Sequence, residues 1–118
     1  MIDDQILAKM LRKFAGERNW EQFHTPKNIA AALSVEVAEL LEIFQWSRGQ
    51  KGWHELDDET IRTQVKEELA DIFLYLIRFA DLANINLEAA AIAKIKVNAK
   101  KYPVQSAKGS DRKYNEHE

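Results

Sequence analysis

Four acidic side chains stand where two helical sequence segments would otherwise be apolar. Glu36 and Glu39 form an E-x-x-E pair, and Glu68 and Asp71 form an E-x-x-D pair. Residues three apart on an α-helix lie about 60° from each other, on one face. Each pair therefore places two carboxylates at the edge of a buried surface. Unpaired carboxylates there cost several kcal/mol, and neighbouring like charges add to that cost.

Divalent cations are the best candidates for the positive charge that these acids need. If the two helices pack antiparallel, all four carboxylates converge. Arg62 is out of register with the second pair, and no lysine or arginine lies within a turn of Glu36 on its own face. Oxygen ligands without cysteine or clustered histidine favour Mg²⁺, with Mn²⁺ as a substitute, over Zn²⁺. Such sites commonly serve phosphate chemistry. The alternative is that these are ordinary surface acids on amphipathic helices, but two pairs on adjacent helices favour the metal site.

The elements that position these acids are helices, because apolar residues recur at helical spacing and glycine and proline are scarce. Thr25 and Pro26 form a helix start, a capping hydroxyl followed by proline. We predict an all-α fold, a bundle of four to five helices, over residues 1–104, with a polar tail at 105–118. The expected helices run from about Asp3 to Arg18, Pro26 to Trp46, Asp57 to Ala83, and Leu87 to Lys100.

The third predicted helix is apolar on nearly all sides, which indicates burial on several faces. Its main stripe contains Ile61, Val65, Leu69, Ile72, Leu76 and Phe79, whereas Phe73, Leu74 and Ile77 lie on other faces. One protomer of this size cannot cover all of them. We therefore expect a homo-oligomer.

Composition limits the classes of function. The chain has 118 residues, 46% hydrophobic and 31% charged, with a net charge of −2 and no cysteine. This is the size of one domain, and the charge gives no field that would recruit a nucleic-acid polymer or an anionic membrane. Without a signal-peptide pattern or a membrane-spanning run, we expect a cytoplasmic protein.

The acidic pairs resemble the E-x-x-E…E-x-x-D signature of the MazG-like, all-α nucleoside triphosphate pyrophosphohydrolases. Residues 14–24, 44–46 and 94–104, and the tail at 106–114, are similar to the dCTP pyrophosphatase branch of that family. The resemblance covers nearly the whole chain. It implies a MazG-like homodimer or homotetramer that uses Mg²⁺ to cleave a nucleotide between its α- and β-phosphates. The implied role is house-cleaning of the nucleotide pool, with dCTP or a modified dCTP as substrate.

The resemblance also implies roles for the acids. Glu36, Glu39, Glu68 and Asp71 match the metal ligands. Glu39 is favoured as the base that takes a proton from the attacking water, with Glu36 as the other catalytic candidate. Some relatives carry a second glutamate beside the first pair and use it as the base, but Val35 stands there in this chain.

The substrate-binding residues follow from the same resemblance. A base could stack on tryptophan rings, with a histidine beside its edge, and a tyrosine next to the sugar would favour deoxynucleotides. Phe23 is assigned equally to the substrate pocket or to the hydrophobic core. Leu11 stands where relatives of the dCTP branch carry a histidine, so the reaction type is better determined than the base preference. The candidates are Trp20, His24, Trp46, Tyr75, Asn98, Lys101 and Tyr102, with Lys94 less favoured.

Two rival functions remain. One is a related pyrophosphohydrolase acting on dUTP, a purine triphosphate or a phosphoribosyl intermediate. The other is a non-catalytic nucleotide or metal sensor built as a helical oligomer. The presence of all four acids argues against the sensor.

Overall fold

A computed structural model describes residues 1–109, and every regular element in that range is helical, which confirms the predicted all-α class. Two short 3₁₀ helices, Glu21–Phe23 and Gly52–Asp57, lie in the connections before α2 and α3. Of the predicted tail, residues 110–118 lie outside the described residues. The α-helices are α1 (Asp4–Glu17), α2 (Pro26–Ile43), α3 (Glu59–Leu82), α4 (Leu87–Lys101) and α5 (Val104–Ala107).

Side-chain caps determine where the four long helices begin. Asp3 accepts hydrogen bonds from two backbone N–H groups of α1 at 3.1 Å. Thr25 accepts one from Asn28 at 3.1 Å, so the predicted Thr-Pro helix start is confirmed. Asp58 caps α3 and Asn86 caps α4 in the same way. Each cap satisfies a backbone donor that the first helical turn leaves unpaired.

The C-terminal end of α2 differs from the prediction. The helix ends at Ile43, not near Trp46. The N–H of Phe44 bonds to the carbonyl of Leu41 at 3.0 Å, and that of Gln45 to Glu42 at 3.2 Å. Each of these hydrogen bonds joins residues three apart, not four, so the chain leaves the α-helix and forms a tight turn. Trp46 therefore lies in a loop and does not share a helical face with Glu39.

The chain forms two compact units, residues 1–84 and the chain from Ile85 onward. In the first unit α2 and α3 are antiparallel, because Pro26 lies near Leu82 at one end and Trp46 near Ile61 at the other. The α1 helix is joined to α3 by an ion pair in which Arg12 Nε donates to Asp81 at 2.7 Å. The buried apolar residues between these helices are Ala8, Ala15, Ile29, Val65, Ile77 and Ala80.

The buried face of α3 differs from the predicted stripe. Leu69 and Leu76 belong to that stripe but are 51% and 37% exposed, whereas Ile77, predicted to lie off it, is only 4% exposed. Both α1 and α2 contact α3, and the α3 residues buried within this protomer are Val65, Ile77, Arg78 and Ala80. The apolar face left uncovered in one protomer is therefore that of Leu69 and Leu76.

The second unit contains α4 and α5. Asn86 caps the start of α4, and Lys100 and Lys101 lie in its last turn, where cations are favoured by the helix dipole. Ile92, Ile95 and Val97 are exposed on this helix. No helix within the described range is long and apolar enough to cross a membrane.

Candidate functional site

Glu36 and Glu39 of α2 and Glu68 of α3 bring carboxylate oxygens to one place. One oxygen from each residue lies within 4.8 Å of the other two, and all three side chains are half-buried. The arrangement follows from the sequence, since a three-residue spacing puts the first two acids on one face of α2. The antiparallel α3 then supplies the third from across the helix pair.

Among the described residues, the cluster lacks the donors that ionised carboxylates require. Oε2 of Glu36 and Oε2 of Glu68 are buried without a hydrogen-bond partner in the described part of the chain. Contact with Glu68, then burial, then the neighbouring Glu39 and Asp71, raise the pKa of Glu36 to about 7. Two carboxylates can hydrogen-bond to each other only when one holds a proton. The site is therefore built to hold either a proton or a cation.

Burial and neighbouring negative charges also raise the pKa of Glu68. The contact with Glu36 lowers the pKa of Glu68, but burial and the charges of Glu39 and Asp71 raise it, and the net pKa lies above its ordinary value. Asp71 is exposed, and its oxygens are outside the set of three. The negative charge of Asp71 nevertheless acts on Glu36 and Glu68, so all four predicted acids belong to one electrostatic site.

A cavity of about 380 Å³ adjoins this site. Asp71 and Tyr75 contribute to its wall from α3, and Trp20 and His24 contribute from the connection after α1. The ring of Trp20 is fixed by an edge-to-face contact with Phe14, at 5.6 Å between ring centroids. Pockets of this size and mainly apolar lining hold small organic ligands. The rest of the wall is formed by Leu7, Met10, Leu11, Phe14, Ala15, Leu74 and Arg78.

Tyr75 connects the cavity with the carboxylates. Burial is the main cause that raises the pKa of its hydroxyl, and the charges of Glu36 and Asp71 add to it. The tyrosine is therefore within the field of the acids while it lines the apolar cavity. A ligand with an aromatic end and an anionic end could use both regions.

Arg78 is a cavity residue that the sequence interpretation missed. It is 5% exposed, and its Nε donates to Nδ1 of His24 at 3.1 Å. The sequence does contain a signal for Arg78. The arginine follows Asp71 and Tyr75 at positions i, i+4 and i+7, which lie on one face of α3.

Two predicted residues of the first unit do not line this cavity. Trp46 is 88% exposed and lines a separate pocket with Arg48 and Lys51. Phe23 is exposed and does not line the cavity that contains Trp20. The other three predicted substrate residues are on or next to α4, in the second unit: Asn98, Lys101 and Tyr102.

Residues 31–116 match the MazG-like family, and the chain belongs to that family. It is similar to dCTP pyrophosphatase 1 of Homo sapiens, with 39% identity over 114 residues, covering 93% of this chain and 65% of the human protein. The Rattus norvegicus protein of the same name is 38% identical over 112 residues, covering 92% of this chain and 64% of its own length. The chain thus spans slightly less than two thirds of these curated relatives.

A solved structure shows the same similarity. The crystal structure of a pyrophosphatase from Archaeoglobus fulgidus DSM 4304 superposes with a TM-score of 0.78 and 45% sequence identity. The match covers 84% of this chain and 91% of that chain. The predicted resemblance to the MazG-like family and its dCTP pyrophosphatase branch is confirmed.

Proposed function

We propose that the protein is a nucleoside triphosphate pyrophosphohydrolase that cleaves dCTP, or a modified dCTP, to the monophosphate and pyrophosphate. The observation that carries this proposal is the carboxylate cluster with two buried, unpartnered oxygens beside a cavity of nucleoside size. Two relatives are named dCTP pyrophosphatase 1, which supports pyrophosphate release as the reaction and cytosine as the base. Removal of unwanted nucleotides from the pool is the corresponding biological role.

The metal ligands in this proposal are Glu36, Glu39, Glu68 and Asp71, and the metal is Mg²⁺, for which Mn²⁺ can substitute. The residues fit such an ion because they offer only hard oxygen atoms, two of which have no other partner in the part of the chain described. When bound, the cation supplies positive charge that neutralises the phosphates and makes a water molecule a better nucleophile.

The two catalytic acids have different parts in this proposal. The pKa of Glu36, raised to about 7 by its contact with Glu68 and by burial, makes it the group that holds the proton of the metal-free cluster. That proton must leave before a cation can be held there. Glu36 is thereby committed to the metal, and Glu39 is the carboxylate that receives the proton of the attacking water.

The cavity gives the substrate its orientation. The base lies beside Trp20 and His24, and the deoxyribose lies against Tyr75, where a 2′-hydroxyl would be excluded. The phosphates then extend past Asp71 to the acids. Trp46, which lines a separate pocket, and Asn98, Lys101 and Tyr102 of the second unit are proposed as substrate contacts on the family resemblance alone.

The reaction is tested by assaying a panel of nucleotides with Mg²⁺ and separating pyrophosphate from orthophosphate. We expect pyrophosphate and a monophosphate, with dCTP turned over faster than dUTP or purine triphosphates. Orthophosphate as the first product would reject the reaction class. Calorimetric binding without turnover would favour the non-catalytic sensor instead, and a preferred base other than cytosine would assign a related pyrophosphohydrolase.

We propose a homodimer or homotetramer that covers the exposed apolar face of α3. Replacing both Leu69 and Leu76 with glutamate is expected to dissociate it, because each charge would have to be buried at the contact. Light scattering coupled to size exclusion measures the mass. Gln64→Glu, which adds one charge at an exposed polar position of α3, is the control and should leave the mass unchanged. A monomeric natural chain, or a double variant with unchanged mass, would contradict this assembly.

A further inference from the structure

Arg78 is a buried cation without a carboxylate partner in the described range. Only 5% of the residue is exposed, and no acidic oxygen of residues 1–109 lies within ion-pair distance of it. Asp81, one turn further along α3, forms its ion pair with Arg12, and Arg78 acts on it only as a neighbouring charge. Burial of an arginine opposite a neutral group is costly unless further acceptors are supplied. The cavity that Arg78 lines is where such acceptors can come from.

The hydrogen bond between Arg78 and His24 determines the protonation of the imidazole. An arginine only donates, so Nδ1 of His24 must accept with its lone pair. The ring is then neutral, and its proton is on Nε2. Burial, and then the charge of Arg78, lower the pKa of His24 and so favour the same neutral form, although Glu21 acts in the opposite direction. Both members of the pair can therefore only donate hydrogen bonds to a ligand.

We infer that Arg78 and His24 form the base-reading pair of this cavity, in which the Arg78 guanidinium and the His24 Nε2–H donate to the adjacent O2 and N3 acceptors of cytosine. This inference rests on the proposed function and names the residues that determine its base preference. Uracil and thymine carry a proton on N3, so the same pair would face a donor at that position. A donor opposite a donor is costly when both are buried.

The surrounding wall supports this assignment. Leu7, Met10 and Leu11 line the same cavity and offer no hydrogen-bonding nitrogen or oxygen in their side chains. The Trp20 and Tyr75 rings offer flat surfaces, and Asp71 lies on the side of the acids. Besides the Trp20 indole N–H and the Tyr75 hydroxyl, Arg78 and His24 are the side-chain donors of this wall, and they are joined to each other by a hydrogen bond.

The kinetic test compares dCTP with dUTP in Arg78→Met, a variant of similar length without donors. We expect the ratio of kcat/KM for dCTP to that for dUTP to fall about ten-fold or more, because bonds from a charged donor to the cytosine acceptors are lost. Arg78→Lys, which keeps one cationic donor, should restore part of the ratio. Arg62→Met is the matched control, an exposed arginine of α3 away from the cavity, and should leave the ratio unchanged. An equal loss for both nucleotides would overturn the inference and assign Arg78 a structural role.

A second measurement does not depend on turnover or on the folding of a variant. Nitrogen NMR of the natural protein reports the tautomer of His24, and dCMP and dUMP serve as probes. We expect a neutral ring with its proton on Nε2, and a shift of that nitrogen with dCMP at concentrations where dUMP has little effect. A proton on Nδ1, or equal responses to both nucleotides, would overturn the inference. If instead the natural protein hydrolyses no nucleotide but discriminates dCMP in this way, the proposed reaction fails while the base-reading pair stands.

Discussion

Glutamine in place of Glu39 is expected to lower kcat for pyrophosphate release by about 10²–10⁴-fold, the usual contribution of a general base. Glutamine keeps the size of the side chain and can still offer an oxygen, but it cannot take the proton of the attacking water. Asp71→Asn should reduce activity as well, through weaker metal binding. Steady-state assays of pyrophosphate at increasing Mg²⁺ separate the two effects. More metal should restore Asp71→Asn but leave Glu39→Gln impaired, because Glu39 is proposed as the base as well as a ligand.

The matched control for that experiment is Glu42→Gln. Glu42 lies three residues beyond Glu39 on α2, is exposed and is outside the carboxylate cluster. The control should keep the natural rate, and circular dichroism should show the same helix content in all variants. A Glu39→Gln protein that turns over at the natural rate would remove Glu39 from the role of base. If its activity returned at high Mg²⁺, Glu39 would be a ligand only.

Much of the first unit could be predicted from local sequence signals. Helix starts depend on side chains next to the backbone groups they cap, so Thr25 and Pro26 identified the beginning of α2 without tertiary information. The acidic pairs were visible because a three-residue spacing keeps Glu36 beside Glu39 whatever the helix packs against. Their convergence with Glu68 required only that α2 and α3 be antiparallel neighbours.

Features that depend on packing between helices were not predictable in this way. Periodicity showed that α3 is apolar on several sides but not which of these sides are covered within one protomer, so it could not assign the burial of Ile77 or the exposure of Leu69. Arg78 was missed because a single arginine on a helix is usually solvated, and its hydrogen bond joins it to His24, 54 residues earlier in the chain. The early end of α2 depends on backbone hydrogen bonds of the turn that carries Trp46.

Without metal, the stability of the protein is expected to fall as the pH rises from about 5 to about 8. Contact with Glu68 and burial raise the pKa of Glu36 from its ordinary 4.5 to about 7 in the folded state. Between those values the folded chain holds a proton that the unfolded chain has released, so raising the pH favours unfolding. Above about pH 7 Glu36 is ionised, and its repulsion with the neighbouring acids is uncompensated when a chelator removes the metal. Thermal melts in a chelator, followed by circular dichroism, measure this loss.

Magnesium should reverse the loss at high pH and have little effect at low pH, because proton and cation compete for the same oxygens. Saturating Mg²⁺ at about pH 8 is expected to raise the melting temperature by about 5 °C or more. Glu36→Gln is the control, since it removes this titration and should flatten the pH dependence seen in the chelator. Because its pKa is lowered in the folded state, His24 makes the stability rise with pH. This contribution is the same in the natural chain and in Glu36→Gln, so it cancels when their pH profiles are subtracted. A Glu36→Gln protein with the same pH slope as the natural chain would show that the acids are already compensated without a cation.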